Sequence, residues 1–382
     1  MKIVVANERK RVSITLSLFY FFYFAMVGVY VIFMPKVLKD IGYNAVEIGA
    51  IYTSAPLMRF LLPFIFKHWI KLSSRVFYAS LIATFVITAL FFLTIKSFWL
   101  FLLINFAFGG AMGAVLPFVE TIALERIGKE RYGKVRLWGS LGFSVVAFVL
   151  GNILSSYLVA LSFLVAMALL TVLFGLALVE FDNKAIDKEE QIESDSSFSL
   201  VRYWAFWGSV FLFQLSFGGF YNFFTIYETS HGVALDIVSY LWIFGVACEI
   251  VMLIFQGPLL KHFDLLTLLL VTTLSGVFRW IIVALYPKNL PLLLLAQASH
   301  ALSFALYYTA AIAYVYTLYT QKKLAQQFFL GISFGLGGAL GAIVSGLIYR
   351  LSPSALFIFE AFVAFIAALL LVVHKRRKSH VA

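Results

Sequence analysis

Apolar residues fill this chain in long, nearly unbroken stretches, and polar residues collect in short clusters between them. A helix that crosses a hydrocarbon core of about 30 Å needs about 20 mostly apolar residues. By that measure the pattern predicts twelve spans, at 12–34, 46–66, 76–95, 98–124, 135–155, 157–179, 204–229, 237–260, 265–286, 290–320, 324–348 and 353–374. The alternation of a membrane strand is absent, and a run such as Leu158 to Val179 is far too long for one. Arg9-Lys10-Arg11 ahead of the first span resembles the start of a signal peptide. The apolar stretch behind it is too long and no small-residue cleavage pattern follows, so a retained first helix is expected. The expected fold class is an all-α membrane protein.

Composition agrees. The 382 residues are 63% hydrophobic, 18% aromatic and only 12% charged, where a soluble domain carries about 25% charged residues. A soluble core, a disordered chain, a collagen-like fibre and a disulfide-stapled domain are all excluded. The single cysteine, Cys248, has no partner for an intramolecular bridge, and the six histidines are scattered without metal-site spacing, so no metal or other cofactor is expected. No phosphate-binding Walker loop is present, which turns the energy source away from ATP.

The net charge of +11 would point to nucleic acid in a soluble protein. Here the loops account for it. With twelve spans both termini share a side, and that side collects the N-terminal arm, Lys67–Arg75, Arg126–Arg136, the middle loop, Lys261, Lys322-Lys323 and Lys375–Lys378. Together these hold 22 of the 29 lysines and arginines. The other side has Lys36, Lys39, Lys96, Lys288 and Arg350, while Arg59 and Arg279 fall inside spans. The positive-inside rule then predicts cytoplasmic termini in an inner membrane, with anionic lipid rather than nucleic acid as the basic surface's partner. A monomer is expected.

The longest polar stretch, Glu180 to Ser199, is acidic and serine-containing, and reads as a linker. The expected organisation is a six-helix half at 1–180, a cytoplasmic linker at 181–203 and a second half at 204–382. A loose match of Leu137-x-Gly139 with Leu330-Gly331 hints that the halves are related. Gly331, Gly335, Gly337, Gly338, Gly341 and Gly346 crowd span eleven, which suits either ordinary close packing or helices that slide. Two six-helix halves around a midplane site is the plan of many secondary transporters.

Ionisable residues within spans cost about 2.5–3.5 kcal/mol each on insertion scales and mark function by default. Those read from the spans are Arg59, Glu120, Glu249, Arg279 and His300, with Arg136 at the start of span five. Trp242, Gly245, Glu249 and Gln256 share one helical face in span eight. Gln297, His300, Phe304, Tyr307, Ala311 and Tyr314 form a mixed stripe in span ten, Gln214, Phe217, Tyr221, Thr225 and Glu228 one in span seven, and Tyr52, Pro56 and Arg59 one in span two. Each residue alone is as well explained by a helix contact as by a ligand. As a set, with Trp242, Gln297, Tyr307 and Tyr221 as lining, they suit a cavity for an amphipathic organic molecule.

Arg131-Tyr132-Gly133-Lys134-Val135-Arg136-Leu137-Trp138-Gly139-Ser140-Leu141-Gly142-Phe143 resembles the junction of the fourth and fifth helices in the phenylpropionate permease family. That family is a branch of the major facilitator superfamily close to the lactose permease-type proton symporters. Tyr240-Leu241-Trp242 with Gly245 and Glu249, Gly276 to Trp280, His300 and Met58-Arg59-Phe60 are similar to it too, so the resemblance runs from end to end. It implies that Glu120 and Arg136 hold substrate, deeper in the membrane than their distance from the span ends indicates. Phe143 stands where the sugar symporters stack a tryptophan on their substrate. Glu249 is implied in both binding and proton coupling, and Arg279 and His300 in the coupling network. Ser303 stands where those symporters have a coupling carboxylate one turn after the histidine, and Phe217 where a further aspartate is expected. The loop at Lys67–Arg75 keeps only the basic character of the superfamily's signature.

The resemblance implies a proton-coupled uptake permease for a small organic solute such as 3-phenylpropionate, with an arginine, Arg136 or Arg59, clamping the carboxylate and no cofactor beyond the coupling proton. A nucleoside or saccharide symporter and a drug exporter are the alternatives within the class. An intramembrane lipid transferase would need a metal-binding aspartate motif or a histidine-rich cluster, and the chain shows neither. A sensor that kept a transporter fold but carries no flux is a third class.

Overall fold

The computed structural model describes residues 2–68, 73–178 and 199–379, which are helical throughout apart from their turns, with no strand among them. Twelve helices are long and apolar enough to cross a membrane. They are α1 (Lys10–Asp40), α2 (Ala45–Phe66), α3 (Ser74–Thr94), α4 (Phe98–Ile127), α5 (Arg131–Ile153) and α6 (Tyr157–Ala177), then α7 (Val201–Ser230), α8 (Leu235–Phe255), α9 (Leu265–Leu285), α10 (Leu290–Leu318), α11 (Leu324–Leu351) and α12 (Pro353–Arg377). Their outer faces carry exposed apolar side chains such as Leu93, Trp99, Val251 and Phe362, as contact with lipid tails rather than water demands.

Several ends and interiors depart from the expected spans, among them a π-helical turn at Gly331–Gly337 in α11. α1 runs to Asp40 rather than 34, because a π-helical turn at Val29–Phe33 precedes Pro35, which has no N–H to give and needs the ladder loosened. The eighth span stops at Phe255 rather than 260. Gly257-Pro258 then starts a separate short helix, Gly257–His262. α7 is two half-helices, Trp204–Leu215 and Gly218–Ser230, joined by a turn at Ser216 and Phe217. α10 changes at Ala298 and passes through a π-helical turn at Ala301–Leu306. Such turns concentrate where helices serve a site.

The chain forms two compact units, Met1–Tyr43 with Leu61–Ile192, and Asn44–Phe60 with Glu193–Ala382. The expected linker lies outside the described residues as far as 198. The division differs from a cut at that linker in one respect, that residues 44–60 of α2 belong to the second unit. Glycine makes this possible: a Cβ on Gly49 would stand 2.6 Å from the Ala342 carbonyl oxygen, and one on Gly346 would stand 2.5 Å from that of Ala45. Backbone meets backbone there, as small residues permit in membranes.

Within each unit the first helix packs on the fifth through the same device. A Cβ on Gly142 would lie 2.0 Å from the Phe21 carbonyl oxygen, and one on Gly337 would lie 2.9 Å from that of Phe211. One interval in the chain separates Phe21 from Phe211, Gly28 from Gly218 and Gly42 from Gly232. The two turns also match. Gly42 (φ +110°) and Gly232 (φ +90°) end α1 and α7, with Gly42 N–H donating to Lys39 and Tyr43 N–H to Leu38, and Gly232 N–H donating to Thr229 and Val233 N–H to Glu228. This is one helix-ending motif used twice. The internal repeat therefore pairs Gly142 with Gly337, not Gly139 with Gly331 as the sequence hinted. Packing against α1 and α7, invisible in the glycine spacing alone, sets the register.

Candidate functional site

The sequence-predicted residues fall into two groups, one in each unit. In the first, the Arg136 guanidinium on α5 lies over the Phe24 ring of α1, 3.8 Å from its centroid, with the Tyr20 ring at 5.5 Å. Gly139, one turn on, leaves the room: its Cβ would stand 2.6 Å from Phe24 and 2.8 Å from the Arg136 guanidinium. Glu120 on α4 accepts from the Tyr132 hydroxyl at 3.2 Å and interacts electrostatically with Arg136. Phe143 lies on α5 beside Gly28, whose Cβ would meet its ring at 3.3 Å. Both Glu120 and Arg136 are half-buried.

In the second unit, three helices build one polar chain. Arg279 of α9 is fully buried. Its Nη1 donates to His300 Nδ1 at 2.8 Å and its Nη2 to Gln297 Oε1 at 3.0 Å. An arginine cannot accept a hydrogen bond, so His300 Nδ1 is the acceptor and the ring is neutral in this geometry, with its proton on Nε2. That nitrogen faces Glu249 Oε2 of α8 at 3.6 Å. The His300 ring stacks on Phe304, centroids 4.9 Å apart at 12°, and the π-helical turn after it sets the two rings in line. The Arg279 guanidinium sits over Phe220 at 4.0 Å and Trp280 at 4.6 Å. Neither of its hydrogen-bond partners carries charge, and aromatic faces offset only part of the cost of burying a cation.

The remaining predicted residues surround this chain. Tyr221 interacts electrostatically with Glu249, Arg279 and Arg59, and so ties α2 to the group; Arg59 itself is exposed. Trp242 donates from its indole to Thr225 at 3.2 Å and packs on Phe220 at 4.4 Å. Gln297 is a buried partner of Arg279. Tyr307 lies buried against Phe213 at 4.4 Å, its hydroxyl without a partner. Among the described residues, no three His, Cys, Asp or Glu side chains gather as a metal site requires.

Two fully buried carboxylates complete the unit. Glu228, near the end of α7, has no hydrogen-bond partner for either oxygen. Glu360 of α12 is absent from the in-span charges read from the sequence, although the same rule applies to a lone glutamate in the most apolar of the spans. It accepts from the Gly219 N–H, one of the free donors that the second half-helix of α7 presents where the helix restarts. A Cβ at 219 would lie 2.6 Å from Glu360 Oε1, so a larger residue there would push the carboxyl aside. Such a helix end contributes up to about 2 kcal/mol to an anion, against several for a charge buried without a partner.

Against known proteins, the model of the MFS_1-like family matches residues 13–361. The chain is 28% identical to the probable 3-phenylpropionic acid transporter of Escherichia coli (strain K12), over 91% of this chain and 94% of that protein. It is 24% identical to the uncharacterized transporter YwbF of Bacillus subtilis (strain 168), over 66% and 65%. Among solved structures it is similar to the nucleoside transporter NupG in a point-mutant form, with a TM-score of 0.82 at 16% identity over 95% of this chain and 99% of that one. The POT family transporter PepTSo follows with 0.76 at 10%, over 98% of each. At these identities the structural likeness is one of fold.

Proposed function

Because the chain belongs to the MFS_1-like family and is a secondary transporter with twelve membrane-spanning helices, we propose that it takes up an aromatic carboxylic acid such as 3-phenylpropionate together with protons, by alternating access. The observation that carries this reading is the Glu249–His300–Arg279–Gln297 chain. It joins a half-exposed carboxylate to a buried cation through a histidine whose proton position is fixed. Nε2 already carries the ring proton, so His300 can take a second proton only on Nδ1, and only by giving up its bond from Arg279; protonation and the position of Arg279 are therefore linked. On the substrate side, the Arg136 guanidinium on its aromatic bed suits a carboxylate with a ring attached, with Glu120 and Phe143 close by. Similarity to the Escherichia coli relative, a probable 3-phenylpropionic acid transporter, supports the substrate class.

In this reading no cofactor or metal takes part beyond the coupling proton. The protein is a monomer of the bacterial inner membrane with cytoplasmic termini, and neither catalysis nor nucleic-acid binding is among its activities. The test is uptake of labelled 3-phenylpropionate into proteoliposomes under an imposed proton gradient. Accumulation that follows the gradient, and is abolished by Glu249→Gln, is the expected result. Indifference to the gradient, or full activity in Glu249→Gln, would sink the mechanism. Displacement of the label by nucleosides at lower concentration than by aromatic acids would move the substrate class.

A further inference from the structure

The Arg279–His300 pair has carboxylates on two sides, and they differ in access. Glu249 has 22% of its side chain exposed, so water can hydrate it. Glu360 is wholly buried. One oxygen of Glu360 is occupied by the Gly219 N–H. The other, Oε2, has no hydrogen-bond partner, and Arg279 Nε, on the packed helix α9, has none either. The charges of Arg279 and Glu360 act on each other, yet Arg279 spends its hydrogen bonds on two neutral groups. The Arg279 guanidinium lies over Phe220, the residue next to the Gly219 that donates to Glu360, so a cation and a carboxylate on packed helices each keep an unsatisfied atom, which buried groups rarely do.

The other elements packed on Glu360 offer Oε2 no competing side-chain partner, although the Phe220 N–H, next to that of Gly219, also acts on the carboxyl. α7 contributes backbone N–H groups at its restart and the titratable side chains Tyr221, Tyr227 and Glu228, and α11 contributes Tyr349. None of these reaches Oε2. The half-helix end favours an anion on Glu360, but by less than the penalty for keeping an unpaired charge out of water. The neutral acid is therefore the form that this arrangement supports.

We infer that Glu360 is a proton-binding switch, holding a proton on Oε2 while Arg279 is bonded to His300 and Gln297, and ionised when Arg279 turns its free Nε–H and charge to it. The exchange is balanced: one proton leaves the carboxyl oxygen for water as the guanidinium replaces it. Rotation of Arg279 frees His300 Nδ1 at the same moment, so the histidine can be protonated beside Glu249. The place of Glu360 in transport rests on the proton-coupled reading above; its protonation does not.

The test is pH-difference infrared spectroscopy of the purified full-length protein in lipid. A band from a protonated carboxyl group is expected in the wild type at neutral pH, lost in Glu360→Gln and retained in part in Glu228→Gln. In Arg279→Gln, which has no charge to offer, the band should persist at the alkaline pH at which the wild type has lost it. An unchanged band in Glu360→Gln, or one that disappears at the same pH with and without Arg279, would overturn the inference. Uptake separates it from the reading on which it builds. Glu360→Gln should exchange labelled 3-phenylpropionate but fail to accumulate it. Wild-type uptake that ignores the proton gradient would refute coupled transport and leave the infrared result to decide Glu360.

Discussion

Arg136 and Arg279 both lie on aromatic faces, and the difference in what else holds them separates their roles. Arg279 has rings, two hydrogen bonds and no exposure, so its departure would leave His300 and Gln297 unpaired in a dry interior. Arg136 has rings on one side and remains half-exposed, as a group that must meet a solute from water would. A lysine at 136 keeps the charge but loses the planar face that stacks on Phe24 and the fork that grips a carboxylate. A cation–π contact is worth about 0.5–2 kcal/mol, so Arg136→Lys should raise the KM for 3-phenylpropionate by roughly 2- to 30-fold with the thermal midpoint little changed. Uptake kinetics in proteoliposomes check this, and an unaltered KM would remove Arg136 from the substrate site. The same reasoning orders the carboxylates. Glu249 is partly exposed, Glu360 is dry but has a backbone donor and a cation to answer, and Glu228 is dry with neither.

At the level of helices, the spans were legible because length and apolarity decide them, and the breaks were not because distant partners decide those. Nothing near Ser216 and Phe217 reports that Glu360, far along the chain, will satisfy the N–H groups freed there. Gln297 reads as a lining residue in its own stripe, and becomes an acceptor only because α9 crosses it with Arg279. Glu249, Arg279 and His300 were readable one by one from their cost in lipid, whereas their order of bonding was not. Glycines show the same division. Gly142 and Gly133 look alike in the sequence, yet a Cβ on Gly142 would collide with the Phe21 backbone while one on Gly133 meets nothing within 4 Å. Gly142→Ala should therefore destabilise by about 1–3 kcal/mol or more, and Gly133→Ala should stabilise its helix by up to about 1 kcal/mol. Opposite shifts of the thermal midpoint check the pair. The start of α9 gives a pH-dependent counterpart. Asp264 caps it, accepting from Thr267 N–H at 3.1 Å, and pairs with Lys375 of α12 at 3.2 Å. Partial burial works to raise its carboxyl, but the bonds from Thr267 and Lys375 outweigh that and hold it below the usual range. A carboxyl lowered by folding adds stability above its ordinary value near pH 4, and the gain is lost as pH falls through the lowered one. Asn caps a helix as well as Asp, so Asp264→Asn removes the charge alone. Its midpoint should lie slightly below the wild type's at pH 7 and in low salt, and converge with it on acidification; a gap that persists in acid would assign the effect to the cap.

For the molecule as a whole, orientation follows from charge on the loops, and α9 is the place to read it. Its 21 residues rise about 1.5 Å each and just match a hydrocarbon core of about 30 Å, so its two ends must open on opposite faces. Lys261 stands exposed before it and Lys288 exposed after it. The first belongs to the basic set of loops and the second to the sparse set, and lysine and arginine retained inside set the direction of insertion. The chain's one cysteine, Cys248, allows a clean assay: in a Cys248→Ser background, single cysteines replace Lys261 or Lys288. A membrane-impermeant maleimide should label Lys288→Cys on intact cells and label Lys261→Cys only after permeabilisation. Each substitution removes one positive charge, but the loops of the basic side still outnumber the other side several-fold in lysine and arginine, so neither should reverse insertion. The opposite labelling pattern would invert every helix at once and place both termini outside. It would also turn the water-accessible Glu249 end of the Glu249–His300–Arg279 chain toward the other compartment for a given conformation, and with it the direction in which a proton gradient drives the substrate.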